Sequence, residues 1–210
     1  MTKVLKFRLR SLLEAASLIM KGGIVAYPTD TVYGLGCDPF NPEAVRRLVR
    51  AKNRKKGRLP ILVDSVGRAA EFGKFDLASL RLARHFWPGP LTLVVRVRIG
   101  LPSVVTGSTD DVGLRIPRHH VAIGLVRACG GAIVGTSANV SGSVPLRTAR
   151  EVAEELGDDL DLILDAGRSW SGIESTVVSI DNGALSVLRE KSISKERIYR
   201  VLRSIRNQPS

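Results

Sequence analysis

Apolar and polar positions alternate in blocks along this chain, and the block period switches between helix and strand. Leu12, Ala15, Ala16 and Ile19 recur at helical spacing, Gly22-Gly23 closes that helix, and Ile24-Val25-Ala26-Tyr27 follows as a buried strand. Asn41 before Pro42 predicts a helix start, with Val45, Leu48 and Val49 as its inward stripe, and Pro60-Ile61-Leu62-Val63 predicts the next strand. Asp76 caps a helix through Leu80 and Ala83, which Trp87-Pro88-Gly89-Pro90 breaks ahead of the strand Leu91 to Val97. The alternation then repeats. Val112 to Ile116 reads as a strand, Ala122 to Ala128 as a helix ended by Gly130-Gly131, and Ala132 to Gly135 as a strand. Thr148 and Glu151 fit a capping box; Leu160 to Leu164, Ser175 to Ile180 and Leu185 to Leu188 complete the strands. Ile198, Val201, Leu202 and Ile205 mark a last amphipathic helix. The expected fold is α/β: one open, twisted, mixed or mostly parallel sheet flanked by helices, in a single domain over 1–210.

Polar clusters sit where the strands end. Thr29-Asp30-Thr31-Val32-Tyr33-Gly34 follows the first strand, Lys52-Asn53-Arg54 leaves the second helix, and Thr136-Ser137-Ala138-Asn139 follows a later strand. Ligands of open α/β sheets bind outside the carboxyl ends of strands, so these clusters predict a basic cleft for an anionic, nucleotide-like ligand. A formal charge of +12 agrees with a polyanionic partner, although charge alone does not choose between tRNA, rRNA and ATP. The basic residues concentrate in Arg46, Arg47, Arg50, Lys52, Arg54, Lys55, Lys56 and Arg58, and in a tail holding Lys191, Lys195, Arg197, Arg200, Arg203 and Arg206. The first group lies on a helix-to-strand connection from which long side chains converge on a ligand.

Other chemistries are not signalled. There is no P-loop, and Gly34 and Gly36 run into Cys37-Asp38-Pro39 rather than completing a dinucleotide fingerprint. His119 and His120 read as a helix start rather than a catalytic pair, and Cys37 and Cys129 as buried small hydrophobes. No metal ligands are assigned. No apolar run approaches the roughly 20 residues of a membrane span, and Met1 to Arg8 lacks the apolar core of a secretion signal, so a cytoplasmic protein is expected.

Taken in order, Tyr27-Pro28-Thr29-Asp30-Thr31-Val32-Tyr33-Gly34-Leu35-Gly36, Ala51-Lys52-Asn53-Arg54, Trp87-Pro88-Gly89-Pro90-Leu91-Thr92, Leu114-Arg115-Ile116-Pro117, Thr136-Ser137-Ala138-Asn139 and Glu174-Ser175-Thr176-Val177-Val178 resemble the YrdC-type threonylcarbamoyl-AMP synthases. The likeness runs from about Ser11 to about Val201. It implies a YrdC-like fold and a reaction in which L-threonine, bicarbonate and ATP, with Mg²⁺ carried by the triphosphate, give threonylcarbamoyl-AMP and pyrophosphate. A downstream tRNA threonylcarbamoyl transferase would use the product, and tRNA or another RNA is a further candidate partner.

The same resemblance implies roles. Lys52 and Arg54 match its K-x-R pair and would act on phosphate, Arg54 also on the threonine carboxylate. Ser137, Asn139 and Arg189 match nucleotide-side positions; Thr29, Arg115 and Ser175 match threonine-side positions. Without the resemblance Thr29 is an ordinary turn residue. Tyr33 is either a pocket wall or core. Lys52 and Arg54, as loop charges, are expected to be removable without unfolding the chain. Two departures stand out: Val63 occupies a place where some members carry a threonine-contacting histidine, and the chain stops after its last basic helix where others continue into a domain whose linker covers the site. The competing expectation is an RNA-binding or ribosome-assembly module that uses the basic face.

Overall fold

Capping residues and glycines punctuate the chain where the sequence predicts, in a computed structural model that describes residues 2–54, 58–181 and 184–203. Lys55, Lys56, Ile205 and Arg206 lie outside the described residues. In chain order the elements are β1 (Lys3–Lys6), α1 (Leu9–Met20), β2 (Val25–Tyr27), β3 (Gly34–Gly36), α2 (Pro42–Ala51), β4 (Ile61–Val63), α3 (Val66–Phe72), α4 (Leu77–Phe86) and β5 (Leu91–Arg96). They continue as α5 (Ser103–Thr106), β6 (Asp111–Arg115), α6 (His120–Ala128), β7 (Ala132–Val134), β8 (Thr136–Ser137), α7 (Ala149–Leu156), β9 (Leu162–Asp165), β10 (Thr176–Asp181), β11 (Ala184–Arg189) and α8 (Lys195–Arg203).

Local chemistry sets several of these boundaries. Asn41 Oδ1 accepts from the Glu43 and Ala44 amides, both at 3.1 Å, and Pro42 supplies the first helical position of α2. Asp76 Oδ1 caps α4 through the Ser79 amide at 2.8 Å, and Thr148 and Glu151 form the reciprocal capping box of α7. Beyond α2, Asn53 takes a left-handed conformation (φ 47°), which turns the chain out of the helix and carries Arg54 away from the α2 axis.

The strands divide between two mixed sheets, where the sequence predicts one. The five-stranded sheet has the order β1-β9-β2-β3-β8 and the six-stranded sheet β11-β10-β5-β6-β4-β7. In the first, β1, β9 and β2 run parallel while β3 is antiparallel to both β2 and β8. In the second, β10–β5 and β4–β6 are parallel and the other pairs antiparallel. The most direct of the crossings between the sheets is at Gly135: β7 pairs in the larger sheet, Gly135 turns the chain, and β8 pairs in the smaller. A Cβ at Gly135 would stand 2.2 Å from Leu62 Cγ, so the crossing needs glycine. Helices α1 and α6 cover the smaller sheet through Ala15, Ile19, Val121 and Leu125, packed on Val25, Leu162 and Leu164. A larger core joins Leu48, Leu59, Ile61, Leu91 and Leu114 with the α4 side chains Leu82 and Phe86. Val63 is wholly buried in that core.

Candidate functional site

Between the two sheets lies a cleft of about 750 Å³, floored by strand ends from both. Thr29, Lys52, Arg54, Arg115, Ser137, Asn139, Ser175 and Arg189 all line it. Lys52, Arg54, Arg58, Arg115, Arg189 and Lys191 give the lining its charge, against the single carboxylate of Glu174 among the described residues.

Lys52 is the C-terminal cap of α2 and is only 2% exposed. Its ammonium donates to the carbonyls of Ser137 and Asn139, the latter at 2.7 Å, and so ties the α2 exit to the loop after β8. The Ser141 amide returns a bond to the Lys52 carbonyl at 2.9 Å. Burial, then the neighbouring Arg54 charge, lowers the Lys52 pKa to about 8. Lys52 is therefore a built-in part of the cleft wall, and the expectation of a loop charge removable at no structural cost does not hold for it. Asn139 Nδ2 donates to the Ser143 carbonyl at 2.7 Å, whereas its buried Oδ1 has no partner.

Arg115, at the end of β6, is held on three sides. Its Nη2 meets Asp30 Oδ1 at 2.6 Å, its Nη1 donates to Thr31 Oγ1 at 3.1 Å, and its Nε donates to the Gly89 carbonyl at 3.0 Å. A Cβ at Gly89 would lie 2.4 Å from the Phe86 carbonyl oxygen, so glycine lets the Trp87-Pro88-Gly89-Pro90 turn pack this closely. Thr29 Oγ1 donates to the Val32 carbonyl at 2.7 Å and accepts from the Thr31 amide at 3.1 Å, which closes the turn after β2.

Across the cleft, Ser175 Oγ lies 2.9 Å from Thr92 Oγ1, and Arg189 reaches Ser175 through Nε to its carbonyl at 3.2 Å and Nη2 to its Oγ at 3.3 Å. Arg189 Nη1 also pairs with Glu174 at 3.0 Å. Arg54 donates to the Arg58 carbonyl at 3.0 Å and keeps a buried Nε without a partner. Burial and the Arg189 charge lower its pKa, and Glu174 opposes them. Two guanidiniums that repel each other over one carboxylate make a site poised for an added anion.

Sequence reasoning overreached in the basic cluster. Arg46 and Arg50 pair with Glu43 on the outer face of α2, and Arg47 pairs with Asp161 at 3.1 Å, so these three do not line the cleft. Arg58 lines it and pairs with Asp111 at 2.9 Å. Tyr33 is core: it is fully buried and donates to the Gly167 carbonyl at 2.8 Å, although its edge touches the cleft. Cys37 and Cys129 are free and buried, and His119 and His120 stand at the start of α6. The residue the sequence did not flag is Tyr27, whose buried hydroxyl lacks a partner at the cleft wall; its signal was only a polar tip at the end of an apolar strand.

A family model described as telomere recombination (Sua5/YciO/YrdC) matches residues 17–191. The chain belongs to the Sua5/YciO/YrdC family. Among its relatives, the threonylcarbamoyl-AMP synthase of Pyrococcus abyssi is 35% identical over 203 residues, which cover 93% of this chain and 58% of that protein. The threonylcarbamoyl-AMP synthase of Idiomarina loihiensis is 42% identical over 178 residues, 79% of this chain and 91% of that one. Within the Sua5/YciO/YrdC family, the structure of Pyrococcus abyssi Sua5 complexed with L-threonine superposes with a TM-score of 0.90 at 34% identity, over 96% of this chain and 61% of that one. The mixed α/β fold with two sheets is thus the family's fold, and no helix among the described residues is long and apolar enough to cross a membrane.

Proposed function

We propose that this chain, acting as one catalytic domain over 1–210, is a threonylcarbamoyl-AMP synthase. L-threonine, bicarbonate and ATP are the substrates, and the product serves threonylcarbamoyladenosine formation on tRNA in the cytoplasm through a downstream transferase. The observation that carries the reading is the convergence of Lys52, Arg54, Arg115 and Arg189 on one cleft in which Arg54 Nε, Asn139 Oδ1 and the Tyr27 hydroxyl are buried without partners. Buried polar atoms left unpaired in a concave, cationic site are arranged for a polar anionic ligand.

The chemistry suits such a site. The threonine ammonium combines with bicarbonate with loss of water and a proton to give the carbamate; a carbamate oxygen then attacks the α-phosphorus of ATP and the bond to the departing pyrophosphate oxygen breaks. Both reactants of the second step are anions, so charge neutralisation and alignment carry the rate, and no side-chain nucleophile is needed. Lys52, Arg54 and Arg189 face the phosphates, with Ser137 and Asn139 on the nucleotide. Arg115 holds the threonine carboxylate beside Ser175, with Arg54 within reach, and Thr29 shapes the pocket because its hydroxyl is already engaged inside its turn. Glu174 is the cleft's one carboxylate among the described residues and is paired with Arg189, so this donor set does not form a Mg²⁺ cage. Mg²⁺ would enter with ATP.

Pyrophosphate release from ATP and Mg²⁺, with threonine and bicarbonate omitted in turn, tests the reading. Release that requires both supports it. Folded protein that releases none, and instead binds RNA with steep salt dependence, would replace it with the RNA-binding reading.

A further inference from the structure

Asp30 and Arg115 form the one ion pair among the described residues that is buried on both sides, with side chains 7% and 8% exposed and 2.6 Å between Nη2 and Oδ1. A buried pair is a poor device for stability, because desolvating two charges offsets most of their attraction. Its place in the fold suggests another use. Arg115 lines the cleft and Asp30 does not; Asp30 stands behind the guanidinium. Asp30 at Nη2, Thr31 Oγ1 at Nη1 and the Gly89 carbonyl at Nε take up three of the five guanidinium N–H groups. These three contacts come from two separate loops, so together they fix the plane and the rotation of the fork.

We propose that Asp30 is a positioning residue for the amino-acid end of the cleft: it holds the Arg115 guanidinium in one orientation, with two N–H groups left for the carboxylate of the substrate. The inference rests on the synthase reading above. It also decides between two opposite effects of an anion beside Arg115. A carboxylate that merely competed with substrate would weaken binding, and its removal would tighten it. A carboxylate that orients the fork strengthens binding, because a planar bidentate donor discriminates by geometry more than by charge.

The test is the Michaelis constant for threonine and for ATP, from pyrophosphate release, in wild type, D30N, R115M and the double variant D30N/R115M, each with its melting temperature. D30N keeps an acceptor oxygen but not the charge. The expected result is a rise of about tenfold in the threonine constant, with the ATP constant and kcat changed less than about twofold. In the R115M background, D30N should add nothing further to the threonine constant, since Asp30 acts through Arg115. An unchanged or lower threonine constant in D30N, or an undiminished effect in the R115M background, overturns the proposal. If D30N does not fold, the comparison of R115M with D30N/R115M decides: equal threonine constants support the proposal and unequal ones overturn it. Wild-type protein that needs no threonine for pyrophosphate release would instead overturn the synthase reading and this inference with it.

Discussion

Lys52 offers the sharpest quantitative test, because its burial and its proposed partner pull its charge in opposite directions. Lys52 is 2% exposed and its pKa falls from 10.5 to about 8. At about 1.4 kcal/mol per unit, the empty cleft disfavours the charged form by roughly 3 kcal/mol. Near pH 8 half of the side chains are neutral, and by pH 9 about a tenth remain charged. If the ammonium binds phosphate, the dissociation constant of ATP rises about tenfold per pH unit above 8, while below pH 8 it is flat. Titration calorimetry with ATP alone, at pH 7.5 to 9.5, isolates this effect from the threonine amine and from bicarbonate. K52R keeps its charge throughout and removes the inflection. A flat wild-type profile, or the same inflection in K52R, refutes the reasoning. K52M carries a second consequence: it leaves the Ser137 and Asn139 carbonyls without their donor, at about 1–3 kcal/mol each in stability, visible in urea denaturation.

Other expectations follow from the same contacts. R54A should fold as wild type, since Arg54 makes one bond to the Arg58 carbonyl, yet lose about 2–4 kcal/mol of transition-state stabilisation in kcat/KM; wild-type turnover would remove Arg54 from the mechanism. E174Q removes the carboxylate that competes with phosphate for Arg189, and should tighten ATP binding by about 1 kcal/mol in calorimetry; weaker binding would show that Glu174 serves to hold Arg189 instead. Y27F deletes an unpartnered buried hydroxyl and should leave the unligated protein as stable as wild type or up to about 1–3 kcal/mol more stable by denaturation, whereas a loss would reveal a partner for that hydroxyl. Burial pushes Cys37 and Cys129 from 9 up to about 12, so above pH 9 the unfolded chain holds fewer protons than the folded one and stability falls with pH. Lys52 acts in the opposite sense between about 8 and 10.5, where its unfolded form holds the extra proton, so stability should rise from pH 8 to about 9 and then decline; replacing both cysteines by alanine should abolish the decline between about pH 9 and 10 in a series of urea midpoints, above which the Tyr27 and Tyr33 hydroxyls, also raised by burial, act in the cysteines' sense.

Helix boundaries were legible because their signals are local: Asn41-Pro42, Asp76 and the Thr148/Glu151 box act within four residues. Sheet membership was not, because pairing is decided between segments far apart. The glycine-flanked β3 and the two-residue β8 carry no apolar run, yet they join the smaller sheet to the segment that crosses through Gly135. The cleft residues Lys52, Arg54, Ser137 and Asn139 could be read as polar groups at strand and helix ends, whereas Arg115, Ser175 and Arg189 emerged only from the family resemblance. Their partners Asp30, Thr92 and Glu174 are ordinary in sequence and acquire meaning only when the sheets meet. The outward turn of Arg46, Arg47 and Arg50 was likewise hidden, since helical phase does not say which neighbour supplies a carboxylate.

The cleft has to hold its cations in place while no anion is bound, and it does so by three different means. Lys52 leans on two backbone carbonyls, Arg115 on a buried carboxylate, and Arg189 on the half-buried Glu174. Carbonyl dipoles and Asp30 are fixed in the fold, so they orient without leaving when a ligand arrives. Glu174 sits on the cleft surface and is the one counterion that a phosphate could displace. Arg54 has least support of the four, with an unpaired Nε and a lowered pKa, and therefore stands to gain most from an incoming anion. On the synthase reading that difference is useful: interactions already satisfied in the empty cleft contribute alignment, and those still unsatisfied contribute binding that grows as charge develops on the α-phosphate.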